Sequence, residues 1–310
     1  MIQNSAREVS AIRLRQLSGV ATALSGLIFV LISLGGLVRN AGAGLSCPDW
    51  PLCFGQFIPP MNVQVFLEWF HRLIAGTVSV ILLTLSAVIF ISAPLRRAFG
   101  KYCAVALVLL ATQVVLGGLT VLGLLSPKWV TSHLAVGLAF FATIFFLSLR
   151  LTAAARSMGM ARPTSVAPTT PVALRRFGLF TGVIVYLQVI LGGLVSSHYA
   201  GLACPDFPTC LGQWLPPLDG AVALQFFHRV GAFVVTAAVI LFFMISFKIS
   251  LTQHFKRAVR ALPGFLILQL LLGIGAVFMK LPLPMSVAHL MVATALFGTL
   301  IVVNHELQCS

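Results

Sequence analysis

The chain carries 310 residues, 59% of them hydrophobic and 8% charged, and its formal net charge is +14. That much apolar surface exceeds what one water-soluble core can bury, so the composition excludes an ordinary soluble domain and makes a bilayer the solvent. In a soluble protein such a charge would point to nucleic acid; in a membrane protein the basic residues have to be read by position.

Eight apolar stretches follow along the chain, near residues 17–38, 70–92, 102–123, 129–149, 177–196, 226–247, 259–279 and 285–304. Each approaches the about 20 residues that a helix needs to cross the hydrocarbon. The first could pass for a signal peptide, but its length, the lack of a small-residue cleavage site and its match to the fifth stretch predict a retained helix. Residues 151–175 hold Arg162, Pro163 and the run from Ala167 to Pro171, the composition of an exposed cytoplasmic linker. The expected organisation is an N-terminal half over 1–150, this linker, and a C-terminal half over 176–310. With the N-terminus in the cytoplasm, fifteen Lys and Arg fall on cytoplasmic segments, and only Arg39, Arg72, Lys128, Arg229 and Lys280 fall at outer ends. That bias places both termini inside a bacterial cytoplasmic membrane, so the charge sets topology and implies no nucleic-acid partner.

Compared with itself, the chain is duplicated. Residues 44–60 read GLSCPDWPLCFGQFIPP and residues 201–217 read GLACPDFPTCLGQWLPP, an offset of 157. The same offset carries Gly35 and Gly36 onto Gly192 and Gly193, and LEWFHR at 67–72 onto LQFFHR at 224–229; an offset of 156 carries His133 onto His289 and Gln113 onto Gln269. Four crossings per copy is an even number, so both copies enter the membrane in one orientation. The expected fold class is an all-α membrane protein, with eight transmembrane helices arranged as two parallel-repeated four-helix bundles.

The cysteines follow the repeat. Cys47 and Cys53 lie in the first outer loop and Cys204 and Cys210 in its copy, while Cys103 and Cys309 sit near inner helix ends. The outer compartment is oxidising, which favours a small disulfide ring in each loop. A zinc site is the rival reading, although the spacing lacks the tight pairs of structural zinc.

His71, His133, His228 and His289 each stand near the outer end of an even-numbered helix, where ionisable groups are expensive and usually functional. Two imidazoles from facing helices can hold a haem iron from both sides, and each half offers one pair. A small residue follows each histidine by one turn, at Ala75, Gly137, Ala232 and Ala293, giving clearance for a flat macrocycle or simply close helix packing. Arg72 and Arg229 come directly after two of the histidines, placed to pair with a propionate or to snorkel. Glu68 breaks the symmetry: it precedes His71 by three residues, on the same helix face, and its counterpart is Gln225. Only the first half can therefore do carboxylate chemistry. Surface roles are expected for His198, His254 and His305, loop bracing for Asp49 and Asp206, and interhelical hydrogen bonds for Gln113, Gln188 and Gln269.

The E-x-x-H-R run from Glu68 to Arg72, its Q-x-x-H-R echo, the cysteine-bearing loops and the paired histidines together resemble the haem A synthase family over nearly the whole chain. The resemblance implies a membrane enzyme that oxidises the C8 methyl of haem O to a formyl group, making haem A for terminal oxidases. It implies a haem b held by His228 and His289, substrate haem O received by His71 and His133 toward the outer face, and Glu68 as the catalytic carboxylate. Disulfides in the loops are linked to activity in that family. Implied partners are the haem O synthase, an electron acceptor and membrane lipid, with room for a homo-oligomer. The same ligands would serve a bis-histidine b-type cytochrome that only transfers electrons, but that reading gives no reason for the glutamate to be kept in one half. A duplicated transporter would break its helices at mid-membrane, and a disulfide oxidoreductase would want a C-x-x-C pair.

Overall fold

A computed structural model describes residues 2–159, 171–249 and 251–309. Among them are eight helices: α1 (Ile2–Asn40), α2 (Val63–Ile91), α3 (Ala93–Leu122), α4 (Pro127–Gly159), α5 (Val172–Ser197), α6 (Gly220–Phe247), α7 (Gln253–Phe278) and α8 (Leu283–Cys309). Each contains a stretch long and apolar enough to cross a membrane, so the chain is a multi-pass membrane protein. No strand occurs among the described residues.

Several helices outrun the apolar stretches. α2 begins at Val63 rather than near 70, because Asn62 caps it through a side-chain oxygen that accepts from Val65 N at 2.9 Å. Hydropathy falls over Glu68, His71 and Arg72, but the backbone stays helical. α4 continues to Gly159 and α5 starts at Val172, so both ends of the stretch expected as linker are helical. Its middle, 160–170, lies outside the described residues.

α1 packs on α2 and α4, with α3 against α2 and α4; α5 packs on α6 and α8, with α7 against α6 and α8. Contact between the two sets runs through α1, α4, α5 and α8. Two glycines make the close approaches. A Cβ on Gly36 of α1 would lie 2.7 Å from Leu290 Cδ2 of α8, and one on Gly193 of α5 would lie 2.6 Å from Leu134 Cδ2 of α4. Overpacking of this kind costs about 1–3 kcal/mol, and a larger side chain at either glycine would have to displace the leucine packed on it. Tyr186 of α5 donates to the Ala135 carbonyl of α4 at 3.0 Å, and the Thr131 and Ser197 hydroxyls meet at 3.1 Å. The core between these helices is aliphatic and aromatic, with Leu24, Ile28, Leu82, Ile144, Leu147, Phe242 and Leu300 fully buried. Such packing drives helix association where lipid is as apolar as the side chains.

Both loop segments, 41–62 and 198–219, sit at one end of the molecule, beside the α3–α4 and α7–α8 turns. In those turns Leu125 (φ 56°) and Leu281 (φ 59°) adopt the left-handed region, which costs a branched residue energy. Their side chains meet the loops: a Cβ on Gly44 would lie 3.2 Å from Leu125 Cδ2, and one on Gly201 would lie 2.8 Å from Leu281 Cδ1. The glycine opening each G-L-x-C-P-D run thus makes room for the leucine that anchors the loop.

Candidate functional site

Each loop is a small, heavily tied structure. Disulfides Cys47–Cys53 and Cys204–Cys210 close rings of sequence separation 6. Next to them Cys53 pairs with Gln56, and Cys210 with Gln213, through isolated antiparallel bridges. The bridges are turned by Phe54–Gly55 and Leu211–Gly212, all four with positive φ, and the glycine is what lets the second position adopt φ near 70° without strain. Asp49 accepts from Phe54 N (2.6 Å) and Gly55 N (2.8 Å); Asp206 accepts from Thr209 Oγ1, Leu211 N and Gly212 N. The loop-bracing role expected for both aspartates is what the geometry shows. These donors hold the carboxyls below their ordinary range: Asp49 chiefly through Gly55 N–H, and Asp206, at about 2, chiefly through the Thr209 hydroxyl.

The two arginines tie these loops to the helices below. Arg72 Nη1 donates to the Asp49 and Leu52 carbonyls (2.8 and 2.5 Å), and Nη2 to the Cys47 carbonyl (3.2 Å) and Glu68 Oε1 (2.7 Å). Arg229 repeats three of these bonds, on Asp206, Thr209 and Cys204 carbonyls. Charge-assisted bonds are worth about 1.5–3 kcal/mol each, so Arg72 and Arg229 are loop clamps. With all four Nη hydrogens of Arg72 engaged, only its Nε–H is left for a propionate.

Glu68 is buried under the first loop. Its Oε2 accepts from Cys47 N at 2.8 Å and its Oε1 from Arg72, so the carboxylate is wired to the disulfide ring on one side and the clamp on the other. Gln225, equally buried, makes a single 3.2 Å bond to the Gly201 carbonyl and leaves its Oε1 without a partner among the described residues. The two loops are built alike, yet one lowers a carboxylate toward its histidine and the other an amide.

All four histidines lie about two turns into their helices from the loop end. His71 and His133 are within electrostatic reach of each other, and so are His228 and His289. Every ring rests on a glycine of the preceding helix: a Cβ would stand 3.2 Å from His71 Cε1 at Gly35, 3.4 Å from His133 Cε1 at Gly117, 3.1 Å from His228 Cε1 at Gly192, and 2.9 Å from His289 Cε1 at Gly273. The chain presses each imidazole edge into a helix groove, which fixes where the rest of the ring points.

Four residues before three of those glycines stands a glutamine. Gln113 Nε2 donates to the His133 carbonyl (2.9 Å); Gln188 Nε2 donates to the His228 carbonyl (2.8 Å) and lies 3.1 Å from its Nδ1; Gln269 Nε2 lies 3.2 Å from His289 Nε2. The expected interhelical bonds are therefore made, and they are made to the histidines, which the sequence reading did not foresee. The Q-x-x-x-G spacing on α3, α5 and α7 was the signal for it. α1 departs from that spacing, with Leu31 before Gly35. Gly231 leaves room for the Gln188 amide, since a Cβ there would clash with Oε1; at the offset of 157 its counterpart is Ile74. The amide and the gap that receives it are thus both missing beside His71. Gly137, one of the four small residues noted after the histidines, likewise faces the Gln113 amide, its Cβ position 3.6 Å from Oε1.

His198 is exposed, as expected, and lies by the Leu194 carbonyl at 3.0 Å. His305 is a correction: expected at the surface, it is buried at 3% exposure with its ring edge-on to Phe146, because α8 extends to Cys309 and keeps that turn inside the helix packing.

Residues 19–301 match the family described as cytochrome oxidase assembly protein. The chain is 32% identical to the heme A synthase of Shewanella oneidensis, over 91% of this chain and 94% of that one. It is 30% identical to the heme A synthase of Bacillus pumilus, over 93% and 92% of the two chains, and 30% identical to that of Geobacillus kaustophilus, over 90% and 87%. This chain belongs to the COX15-CtaA family of cytochrome oxidase assembly proteins.

Proposed function

We propose that the protein is a haem A synthase, a membrane oxidoreductase that takes haem O and converts its C8 methyl to a formyl group. The observation that carries this reading is the single carboxylate, Glu68, buried and held one turn from His71, where the other half has an amide. In this reading the N-terminal half receives haem O between His71 and His133, and the C-terminal half holds a haem b between His228 and His289. The loop end faces outward, and both termini are cytoplasmic by the distribution of basic residues.

The side chains suit such groups. Nδ1 of His71, His133 and His289 are buried without a hydrogen-bond partner among the described residues, a costly state for a structural histidine. Among the described residues no cluster of three or more His, Cys, Asp or Glu could hold a bare metal ion. Two imidazoles suffice for a haem iron, whose macrocycle supplies the equatorial ligands.

Each of the two oxidations removes two electrons and two protons and adds an oxygen from water, the electrons passing on to an external acceptor, and the gem-diol so formed loses one water to give the formyl group. A haem bound by His228 and His289 supplies a one-electron acceptor for this chemistry. Glu68 orients the water and takes up a proton at a carboxylate oxygen. Arg72 and Cys47 N–H keep that carboxylate in one place, so its free lone pairs face a fixed direction. His71 and His133 would hold the substrate, beside the helix face that also carries Glu68.

The test is co-expression with a source of haem O, followed by mass spectrometry of extracted haems. Haem A or a hydroxylated intermediate is expected. Glu68→Gln should bind haem in both halves and form neither product. Haem A from that variant would remove the carboxylate from the scheme, and a colourless wild-type protein would remove the whole assignment.

A further inference from the structure

At the end opposite the loops, between the last turn of α6 and the first turns of α7, a cavity of about 220 Å³ opens. Its walls include Phe247, Phe255 and Val259, and its polar lining is Ser246, Lys256 and Arg260. Lys256 and Arg260 are four residues apart, so both cations project from one face of α7. Neither has an acidic partner among the described residues. Ser246 is buried at 1% exposure, yet its Oγ has no hydrogen-bond partner among the described residues. A buried hydroxyl is normally satisfied, within a helix by the carbonyl four residues back. Ser246 stands behind the cavity with its Oγ closed off from that space, and Lys256 and Arg260 are the cations that line it.

The duplication does not generate this feature. At the offset of 156 the counterparts of Lys256 and Arg260 are Gly100 and Ala104, and at 157 the counterpart of Ser246 is Ile89, fully buried. General inside-positive charge would not need a cavity between helices. The start of α7 adds no free positive end, because Thr252 Oγ1, which caps Phe255 N at 3.0 Å, itself donates to the Glu306 carboxylate of α8. Exposed apolar side chains continue up α6 from the cavity through Met244 and Leu241, a track that suits acyl chains.

We propose that this cavity is a binding site for the phosphodiester headgroup of an anionic phospholipid, clamped by Lys256 and Arg260. Basic pockets between transmembrane helices at the inner leaflet recognise such headgroups. The site is independent of the histidine sites and of the activity assigned to them.

The full chain, purified with its haem, is placed in nanodiscs of phosphatidylcholine containing a minority of phosphatidylglycerol, re-extracted, and its retained lipids are counted by native mass spectrometry. The expected result is one phosphatidylglycerol retained per chain. The double variant K256Q/R260Q should retain it about thirtyfold less tightly, since each basic group near an anionic lipid counts for about fivefold. Ser246→Ile adds bulk behind the cavity, keeps the charge and introduces the residue found in the first half; it should narrow the cavity and weaken lipid retention as well, and it decides the matter should the double variant fail to fold. R97Q/K101Q, which removes two basic residues at the same end outside the cavity, should retain it. Equal retention by wild type and the cavity variants, or equal retention of phosphatidylcholine, overturns the proposal. Displacement by excess inorganic phosphate overturns the lipid assignment and leaves a site for free phosphate.

Discussion

The four glycines beneath the histidines give a graded test of how the rings are held. An alanine at Gly273 would put Cβ 2.9 Å from His289 Cε1, whereas ordinary contact begins at 3.4 Å, so the ring must retreat by at least 0.5 Å. In a protein without haem the imidazole is the far end of a flexible side chain and can turn away at small cost. With haem bound, one of the two nitrogens flanking Cε1 would be fixed to iron, and metal–ligand distances tolerate only about 0.2 Å. The strain then falls on the haem complex, and overpacking strain of about 1–3 kcal/mol lowers haem affinity roughly 5- to 150-fold. At Gly192 the distance is 3.1 Å, at Gly35 3.2 Å and at Gly117 3.4 Å, so the losses should follow the order Gly273, Gly192, Gly35, Gly117, with Gly117→Ala nearly silent. The C-terminal pair is read from haem retained per purified chain and its low-spin bands, the N-terminal pair from titration with added haem. Thermal unfolding of the haem-free variants should match wild type. Full haem content and an unchanged spectrum in Gly273→Ala, or a larger loss in Gly117→Ala, would refute the idea that these grooves aim the ligands.

Leu31→Gln places an amide where α5 has Gln188; combined with Ile74→Gly, which recreates the gap at Gly231, it should slow haem dissociation from the first half, measured by transfer to apomyoglobin. Replacing Cys47 and Cys53 by serine frees a ring whose closure is worth roughly 2 kcal/mol and loosens Cys47 N–H from Glu68; haem A formation should fall while haem content stays, and the same change at Cys204 and Cys210 should affect formation less. Asp206 has its pKa lowered from 3.8 to about 2 by Thr209 and the turn amides. Its contribution to loop order is therefore present in full above 3.8 and is lost as the pH falls through about 2. Limited proteolysis of the second loop should speed up across that window in wild type, and Asp206→Asn should be cleaved at the faster rate already at neutral pH. A wild-type rate independent of pH across the window would show that the carboxylate does not brace the loop.

Hydropathy made the eight crossings legible because membrane helices must satisfy their own backbone, and an apolar run of the right length has few alternatives. It failed at the ends, where α2 runs on through Glu68, His71 and Arg72: hydropathy measures transfer to lipid, and these side chains are never exposed to it, being paired with each other, the loop and a glycine groove. His305 was misread for the same reason, since polar neighbours in sequence do not reveal a turn packed against Phe146. The duplication exposed the histidines and the Glu68–Gln225 difference, because two copies of one design show which positions have been allowed to diverge. What it could not show was that Gln113, Gln188 and Gln269 are aimed at the histidines, since a glutamine one turn before a glycine is also ordinary helix packing. Once the contacts are known, Leu31 and Ile74 join Glu68 as departures clustered around His71. The histidine that lacks the amide is the one beside the carboxylate. On the reading proposed above, in which His71 faces the substrate, a histidine without an amide contact would suit a group that must leave after reaction, and divergence at these three positions would serve release and chemistry together.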